Sequence, residues 1–390
     1  MVGQALNAHQ IGATARERLH DPDRAWSVLA SVTGAIYLES DSGDILWIAA
    51  NASALHQRAI LLPHLPTDLP PAGSTCAIDV GCLRVGEDLV VGTSEARVWL
   101  PEALGQEGVF APGLMKRTAA AIERIALCLP PTGVFARVAF SPVTGDFRCS
   151  REMLGAQVLS VADRAVASLC RISLGRALPE ALDQVTGLVG LGEGLTPSGD
   201  DVLGGFLFTL RTLDSILQGR LEIDWPHVET WLRRVEGRTN RISFCILADH
   251  ARGEATAPLA EFVQAIAVGS SQERVEGLGA RVARIGQSSG WELLAGVYCA
   301  CSAITRIMDR PSDGQNADPA LQQGASNHIT DGLDAFSSSA GDEDAQILHV
   351  TLLIRVPCDG PRFRRPACPR YRRFPAWATL WRTRDPSIPP

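Results

Sequence analysis

One short segment occurs twice in this chain, each time where a polar loop runs into an apolar stretch. Residues 198–205 read Ser-Gly-Asp-Asp-Val-Leu-Gly-Gly, and residues 289–296 read Ser-Gly-Trp-Glu-Leu-Leu-Ala-Gly. Both copies follow the pattern Ser-Gly-x-acid-aliphatic-Leu-small-Gly. A polar, glycine-containing loop that leads into an apolar helix either caps that helix or binds a ligand at its N-terminus. The repeat therefore predicts two similar helix starts that face a common site.

Composition limits the class of protein. The chain has 390 residues, of which 46% are hydrophobic and 20% charged, as in soluble globular proteins of about two domains. The formal net charge of -7 argues against general nucleic-acid binding. No apolar run is long enough for a membrane span, and the scattered cysteines include no Cys-x-x-Cys pair. We expect a cytoplasmic protein with free thiols and with small-molecule or protein partners.

Hydrophobic patterning predicts an α+β fold, with a small antiparallel β-sheet or barrel followed by a mostly α-helical domain. The β-rich domain covers residues 1–112. Its candidate strands are 35–39, 44–48, 76–80, 88–91 and 96–100, and the polar segment 40–43 indicates a hairpin. The helical domain covers residues 113–310, with candidate helices at 114–127, 153–173, 202–217, 228–235, 242–252, 259–267, 274–285 and 291–308.

The C-terminal segment 311–390 differs from the rest of the chain. Its first part is polar and predicts disorder. Residues 351–390 contain nine Arg and eight Pro but only two acidic residues. This composition is typical of out-of-frame translation of GC-rich DNA, and we favour a frameshifted tail over a basic tail that binds an acidic partner.

Helix capping is the simplest interpretation of the repeat. Ser198 with Asp201, and Ser289 with Glu292, each have the spacing of a capping box, in which the serine hydroxyl accepts from the third amide and the acid reaches back. Such a cap is worth about 1 kcal/mol and needs no ligand. Under this interpretation the repeat has only a structural role.

Three features exceed what a cap requires. The loop carries glycines at 192, 194 and 199, which allow a ligand to approach the backbone closely. Glycines inside the following helices, Gly205 and Gly296, cost about 1 kcal/mol each and predict a tight helix–helix contact. Asp200 and Asp201 are adjacent, so one of them is free for Mg²⁺, a substrate amide or proton transfer.

The acidic residues also restrict the ligand. Two carboxylates beside a helix N-terminus would repel a phosphate dianion, so the loop differs from a Walker-type phosphate site. A ligand with an anionic end and N–H donors fits better, with Arg238 or Arg241 as its counter-charge. Both arginines also have an ordinary interpretation as solvated residues at a helix start. His250 is predicted to lie on a helix surface rather than to act as a base.

The segment 190–205, with its Leu-Thr-Pro-Ser-Gly-Asp-Asp core, and the second copy at 289–296 resemble the AllH (YlbF-type) family. The resemblance covers roughly residues 25–308. It implies a subunit of an oxamate carbamoyltransferase in allantoin breakdown, with FdrA-type and YlbE-type partner subunits. The implied reaction transfers a carbamoyl group from carbamoyl phosphate to oxamate, giving oxalurate and phosphate.

The resulting hypothesis assigns a role to each site residue. Asp200 and Asp201 are the candidate catalytic residues, and Mg²⁺ is the metal that they would hold if one is needed; no other cofactor is indicated. The candidate substrate-binding residues are Gly194, Thr196, Ser198, Gly199, Arg238, Thr239, Arg241, Ser289, Gly290 and Glu292. Two alternatives stay open at this point, a non-catalytic structural or regulatory subunit and a stand-alone metal-dependent amidohydrolase or lyase.

Overall fold

The computed structural model describes residues 4–21, 24–101, 113–145 and 156–308. Within these residues, a curled ten-stranded sheet is followed by ten α-helices, which confirms the predicted α+β fold. The predicted boundary near residue 112 and the predicted tail, residues 311–390, lie outside the described residues. Both therefore stay predictions.

Ten strands form one sheet in the order β1-β9-β8-β7-β3-β4-β5-β6-β2-β10. A short helix, α1 (Ala13–Arg18), follows β2. The strands are β1 Gln4–Asn7, β2 Gln10–Gly12, β3 Trp26–Val32, β4 Ala35–Ser40, β5 Ile45–Ala49, β6 Ala59–Leu61, β7 Thr75–Asp79, β8 Cys82–Val85, β9 Leu89–Gly92 and β10 Arg97–Trp99.

Two chain segments, each of which supplies two strands, close the sheet into a barrel. Residues 4–12 contain β1 and β2, which run parallel to β9 and β10 within residues 89–99. Because β2 also pairs antiparallel with β6, the two edges of the sheet meet. The pairings within the described residues are mostly antiparallel, as predicted, but the two pairings just described and that of β5 with β6 are parallel.

The two faces of β4 and β5 have different neighbours, because successive side chains on a strand point to opposite faces. Ile36 and Leu46 belong to the core inside the barrel. Tyr37 and Trp47 lie on the outer face, in a second cluster that includes Ala257 of the helical region. All five residues of β5 are buried, which shows that the outer face is covered as well.

Ten α-helices follow the barrel within the described residues. They are α2 Leu114–Cys128, α3 Val134–Thr144, α4 Ala156–Arg171, α5 Leu178–Asp183, α6 Ser198–Ile216, α7 Trp225–Val235, α8 Arg241–Arg252, α9 Ala257–Ala267, α10 Gln272–Val282 and α11 Ser289–Met308. None of the described helices is long and apolar enough to cross a membrane.

The predicted strands and helices are confirmed, with ends shifted by a few residues, and the hairpin at 40–43 joins β4 to β5. The sequence did not reveal the strands β1, β2, β3, β6 and β8 or the helices α1, α3 and α5. The helix α3 has Pro142 in its interior, a residue that normally argues against a helix. The helix α5 is only six residues long, too short for a clear 3.6-residue period.

The helices α6 and α11 touch through their backbones, which confirms the contact predicted from Gly205 and Gly296. A methyl group on Gly205 would overlap the carbonyl oxygen of Leu293, and one on Gly296 would overlap the carbonyl oxygen of Val202. Val202 and Leu293 occupy the same position of the repeated pattern. The two copies therefore contact each other reciprocally, as expected for a local two-fold axis between the helices.

Two ion pairs tie the barrel to the helical region. Arg58 donates to both carboxylate oxygens of Asp249 on α8, at 2.5 Å from Nε and 2.8 Å from Nη2. At the other end of α8, Nη2 of Arg241 lies 2.6 Å from Oε1 of Glu39 on β4. Asp249 is 1% exposed, so its pair with Arg58 is a buried, bidentate one. These contacts hold the outer face of β4 and β5 against α8.

His250 is buried, so the prediction that it lies on a helix surface is wrong. Its side chain is 3% exposed, and its Nδ1 lies where a methyl group on Gly204 would be. Burial lowers the pKa of His250 to about 3. The absence of a side chain at Gly204 gives α6 room for the imidazole, and a neutral histidine there fills space in the core.

We expect Gly205→Ala and Gly296→Ala each to lower the free energy of unfolding by about 1–3 kcal/mol, because the added methyl group overlaps backbone atoms that cannot move away cheaply. Urea denaturation followed by circular dichroism measures the change. The control is Gly277→Ala in α10, where a methyl group would meet no atom within 4 Å. That variant should gain up to about 1 kcal/mol from helix propensity. Equal effects in all three variants would contradict the proposed contact.

Candidate functional site

Both serines of the repeat are the first residues of their helices rather than caps. The residue before α6 is Pro197, and no side chain caps this helix end. The carbonyl oxygen of Ser288 accepts from the amides of Trp291 and Glu292 at the start of α11. The capping-box interpretation is therefore wrong for α6, and in α11 the serine that precedes the helix is Ser288. The hydroxyls of Ser198 and Ser289 are left to make other contacts.

Each serine interacts with the acid of the other copy. The Ser198 hydroxyl lowers the pKa of Glu292, and the Ser289 hydroxyl lowers that of Asp201, because each favours the charged carboxylate beside it. Thr196 joins the second pair, since its Oγ1 lies 2.9 Å from the Ser289 hydroxyl. This crossed arrangement follows from the local two-fold axis at the glycine contact. The structure thus brings the two Ser-Gly segments together at one place.

Asp200 uses both of its oxygens to fasten the surrounding loops. Its Oδ1 accepts the amide of Gly190 at 2.7 Å, and its Oδ2 accepts the hydroxyls of Thr239 at 2.5 Å and Ser243 at 2.6 Å. The residue is 3% exposed. Asp200 therefore links the glycine loop, the segment before α8 and α8 itself, and Thr239 serves as one of its partners.

Asp201 has a carboxylate oxygen that no protein group binds. Its side chain is 5% exposed, and Oδ2 has no hydrogen-bond partner. Burial raises the pKa of Asp201 well above its ordinary value, and the nearby Glu292 and Asp200 raise it further, while the hydroxyls of Ser289 and Thr196 lower it. A buried carboxyl with a raised pKa binds a proton more tightly than an exposed one, which suits a group that takes part in proton transfer.

Glu292 is fully buried and holds the start of α3. Its Oε2 accepts the amide of Ala136 at 2.9 Å, and its Oε1 accepts that of Phe135 at 3.3 Å. A methyl group on Gly133 would overlap the Glu292 carboxyl, so this close approach needs a glycine. Burial raises the pKa of Glu292 to about 7, although these amides and Ser198 act in the opposite direction.

The glycine loop before α6 has backbone conformations that favour glycine. Gly190, Gly192 and Gly194 have φ values of +79°, +127° and +91°. Gly199 donates its amide to the carbonyl oxygen of Leu191 at 2.8 Å, and in the second copy Gly290 donates to Ile285 at 3.0 Å. Gly194 is exposed with no atom near it, whereas Gly199 and Gly290 are buried against backbone. Gly192 and Gly194 are both exposed, and of these two only Gly194 has open space where a side chain would be.

The two candidate arginines lie at the edge of this region. Arg241 is 65% exposed and pairs with Glu39. Arg238 is also exposed, and its carbonyl oxygen contacts Gly190. Neither contact involves Asp201 or the serines. Their assignment as counter-charges for a substrate stays a prediction.

The carboxyl groups offer few free oxygens to Mg²⁺. Both oxygens of Asp200 and both of Glu292 accept protein hydrogen bonds, which leaves Oδ2 of Asp201. Mg²⁺ prefers six oxygen ligands in a near-octahedral arrangement. Among the described residues, no group of three or more His, Cys, Asp or Glu side chains could hold a metal ion. The donor set therefore does not fit a metal held by the protein alone.

The sequence did not reveal that the barrel contributes to this region. The Asp201 charge acts on Tyr37 of β4, and burial together with that charge raises the Tyr37 pKa. Strand alternation places Tyr37 and Glu39 on one face of β4, but it cannot show which helix covers that face. The ion pair of Glu39 with Arg241 places this face of the barrel beside the start of α8, whose Ser243 binds Asp200.

Comparison with known families bears on the helical region. Residues 188–301 match the model of the AllH family, described as oxamate carbamoyltransferase subunit AllH. This match confirms the resemblance over that span, which contains Asp200, Asp201 and the second Ser-Gly segment. The resemblance was predicted over residues 25–308, and the barrel lies outside the matched residues. No curated protein and no solved structure matches the chain.

The two aspartates should respond differently to replacement. Asp200→Asn places an amide group among three hydrogen-bond donors, so we expect the free energy of unfolding to fall by about 2–3 kcal/mol. Asp201→Asn removes a buried, partly unpaired carboxyl and should leave stability unchanged or raise it. Urea denaturation of both variants at neutral pH measures this difference. A larger loss in Asp201→Asn would show that these roles are reversed.

Glu292 should make the protein less stable as pH rises. Its pKa is about 7 in the folded chain and 4.5 ordinarily, so between these values the folded state keeps a proton that the unfolded state has released. The free energy of unfolding then falls with rising pH, by roughly 3 kcal/mol for this group. The stabilising contribution of Glu292 is complete below its ordinary pKa of 4.5 and is lost above its folded-state pKa of about 7.

Glu292→Gln should flatten that pH dependence, because glutamine keeps an oxygen acceptor but does not titrate. Urea denaturation at about pH 5 and about pH 8 measures how the free energy of unfolding changes with pH. Part of the wild-type change should remain in the variant, because Asp201 also has a raised pKa. Glu261→Gln, at an exposed residue paired with Arg281, controls for the removal of a carboxylate. A Glu292→Gln slope equal to that of the wild type would contradict the expectation.

Proposed function

We propose that this chain is an AllH-type subunit of an oxamate carbamoyltransferase that acts in allantoin breakdown. The family match over residues 188–301 supports this proposal, because it contains both copies of the Ser-Gly segment and the partners of Asp200. The reaction forms a bond between the amide nitrogen of oxamate and the carbamoyl carbon, and it breaks the bond from that carbon to the phosphate oxygen. The amide nitrogen gives up one proton, and the products are oxalurate and phosphate.

The observation that carries the proposal is the free Oδ2 of Asp201. It is buried and has no partner, and the raised pKa of Asp201 makes its ionised carboxylate a stronger base than an ordinary aspartate. In our proposal Oδ2 accepts the N–H of the oxamate amide and takes its proton as the C–N bond forms. Asp200 contributes to catalysis by position, since it anchors the loop that precedes Asp201.

Hydroxyl and backbone groups around Asp201 would bind the rest of the substrate. Thr196 and Ser289 are half-buried and already bonded to one another, so their hydroxyls can turn toward a ligand oxygen. Gly194 offers an exposed backbone amide in the same loop. The first turns of α6 and α11 would form the floor of the site. They contribute Ser198, Gly199, Gly290 and Glu292, through the helix contacts already described.

The partner subunits would supply what this site lacks. The carboxyls of Asp200, Asp201 and Glu292 are unfavourable neighbours for the dianionic phosphate of carbamoyl phosphate. Arg238 and Arg241 lie at the edge of the site and can help to neutralise it, but a site for the phosphate itself is better placed on another chain. The family is that of a subunit, which implies a complex of several chains. FdrA-type and YlbE-type subunits are our candidates for those partners, and the cytoplasm is the expected location.

A non-catalytic role within the same complex is the second candidate function. It is favoured by the use of Asp200 and Glu292 as structural acceptors, each bonded to several protein groups. Under this alternative Asp201 would be a further structural group, and another subunit would carry the whole reaction. The stand-alone metal-dependent hydrolase is the weakest candidate, because the donors around Asp200, Asp201 and Glu292 in the described part of the chain do not fit a metal ion.

Replacing Asp201 by Asn should abolish carbamoyl transfer while leaving the complex assembled. The test co-expresses the chain with FdrA-type and YlbE-type subunits and measures oxalurate formed from oxamate and carbamoyl phosphate. We expect a loss of about 100-fold or more, because the group that accepts the amide proton is gone. Size-exclusion chromatography checks assembly, and Asp183→Asn, at an exposed carboxylate paired with Arg234, is the matched control.

The outcomes separate the candidates. Full activity in the assembled Asp201→Asn complex would support the non-catalytic role. A wild-type complex that assembles but forms no oxalurate would show that the proposed reaction is wrong.

A further inference from the structure

Tyr37 lies on the part of the barrel that covers the start of the helical site. It occupies the outer face of β4, two residues from Glu39, whose carboxylate pairs with Arg241 at the start of α8. The centroid of the Tyr37 ring is 6.2 Å from that of Trp47 on β5, so the two rings are neighbours on the outer face of the barrel. On the same face Glu39 reaches α8, whose Ser243 donates to Asp200, so this face of the barrel is linked to the site through α8.

The Tyr37 hydroxyl and Asp201 are neighbours that do not bond to each other. Asp201 is close enough for its charge to act on the phenol. No hydrogen bond to the Tyr37 hydroxyl occurs among the described residues, and Oδ2 of Asp201 has no partner either. Oδ2 of Asp201 is buried, and native proteins keep buried polar atoms without a protein partner mainly where a ligand or water satisfies them.

Another tyrosine in the chain shows how a phenol is satisfied when its role is structural. The hydroxyl of Tyr298 donates to Oε1 of Glu123 at 3.0 Å, which joins α11 to α2. That phenol and carboxylate satisfy each other directly. Tyr37 and Asp201 differ because they lie on two separate parts of the fold and do not satisfy each other, which leaves Oδ2 of Asp201 without a partner.

We propose that Tyr37 is a further ligand-binding residue, and that Tyr37 and Asp201 contact opposite edges of one small, planar carboxamide held between β4 and the start of α6. Oδ2 of Asp201 accepts an N–H of the amide, and the Tyr37 hydroxyl donates to a carbonyl or carboxylate oxygen. This inference rests on the proposed function, since oxamate has both groups. It adds that the barrel, which lies outside the matched residues, supplies part of substrate specificity.

Binding measurements on the assembled complex test this pairing. We expect isothermal titration with oxamate to show roughly tenfold weaker binding in Tyr37→Phe, the loss of one neutral hydrogen bond. Oxalate, which has no N–H, should bind more weakly than oxamate to the wild type, and Asp201→Asn should reduce that preference. Tyr298→Phe removes the other phenol–carboxylate contact and should leave oxamate affinity unchanged. Unchanged oxamate affinity in Tyr37→Phe would overturn the inference, as would the absence of oxamate binding.

A second measurement on the full chain alone does not depend on activity. Tyrosine is replaced by 3-fluorotyrosine, and the ¹⁹F resonance that disappears in Tyr37→Phe is assigned to Tyr37. Asp201→Asn should lower the pKa of this residue, because it removes a nearby negative charge, and should leave the Tyr298 resonance unchanged. Oxamate should shift the Tyr37 resonance. If Asp201→Asn leaves the Tyr37 titration unchanged, the two groups are not neighbours and the inference fails.

The two proposals fail in different ways. A complex that binds oxamate through Tyr37 but forms no oxalurate disproves the reaction and leaves the ligand site intact. A complex that forms oxalurate equally well, and binds oxamate equally well, with Tyr37→Phe keeps the reaction and disproves the role of Tyr37.

Discussion

The close backbone contact of α6 with α11 is the constraint on which the rest of the site depends. Gly205 and Gly296 each lie against a carbonyl oxygen of the other helix, where any side chain would overlap. Glycine in a helix costs about 1 kcal/mol relative to alanine, and the burial of both helices offsets that cost. The contact also sets the register of the two helix starts. It is the reason that each serine reaches the acid of the other copy.

The same contact brings three carboxyl groups into one buried region, where charged carboxylates are unfavourable. The structure deals with each of them differently. Asp200 accepts three hydrogen bonds and Glu292 accepts backbone amides of α3, so these two hold neighbouring elements in place. Asp201 keeps an unpaired oxygen and a strongly raised pKa. A single unsatisfied group within an otherwise satisfied polar cluster is the arrangement expected where a ligand binds.

The barrel is attached to α8, beside this region, through polar contacts between residues far apart in the sequence. Arg58 reaches Asp249 across the junction, and Glu39 reaches Arg241. Because a buried carboxylate without its partner is costly, these pairs fix where the barrel sits on α8. The same ion pairs hold Tyr37 of β4 where the charge of Asp201 acts on it. The position of the barrel therefore affects chemistry proposed for the helical region.

The sequence by itself determined the α+β fold, most of the described helices, half of the described strands, the glycine contact and the neighbourhood of the acids, because hydrophobic period and repeated motifs are local signals. It did not determine which acid is free. Asp200 and Asp201 are adjacent and chemically alike, and only tertiary packing gives three donors to one and leaves Oδ2 of the other without a partner. The burial of His250 and the approach of Tyr37 were also decided by packing. Both depend on which surfaces meet, and a residue pattern along one chain does not encode that directly.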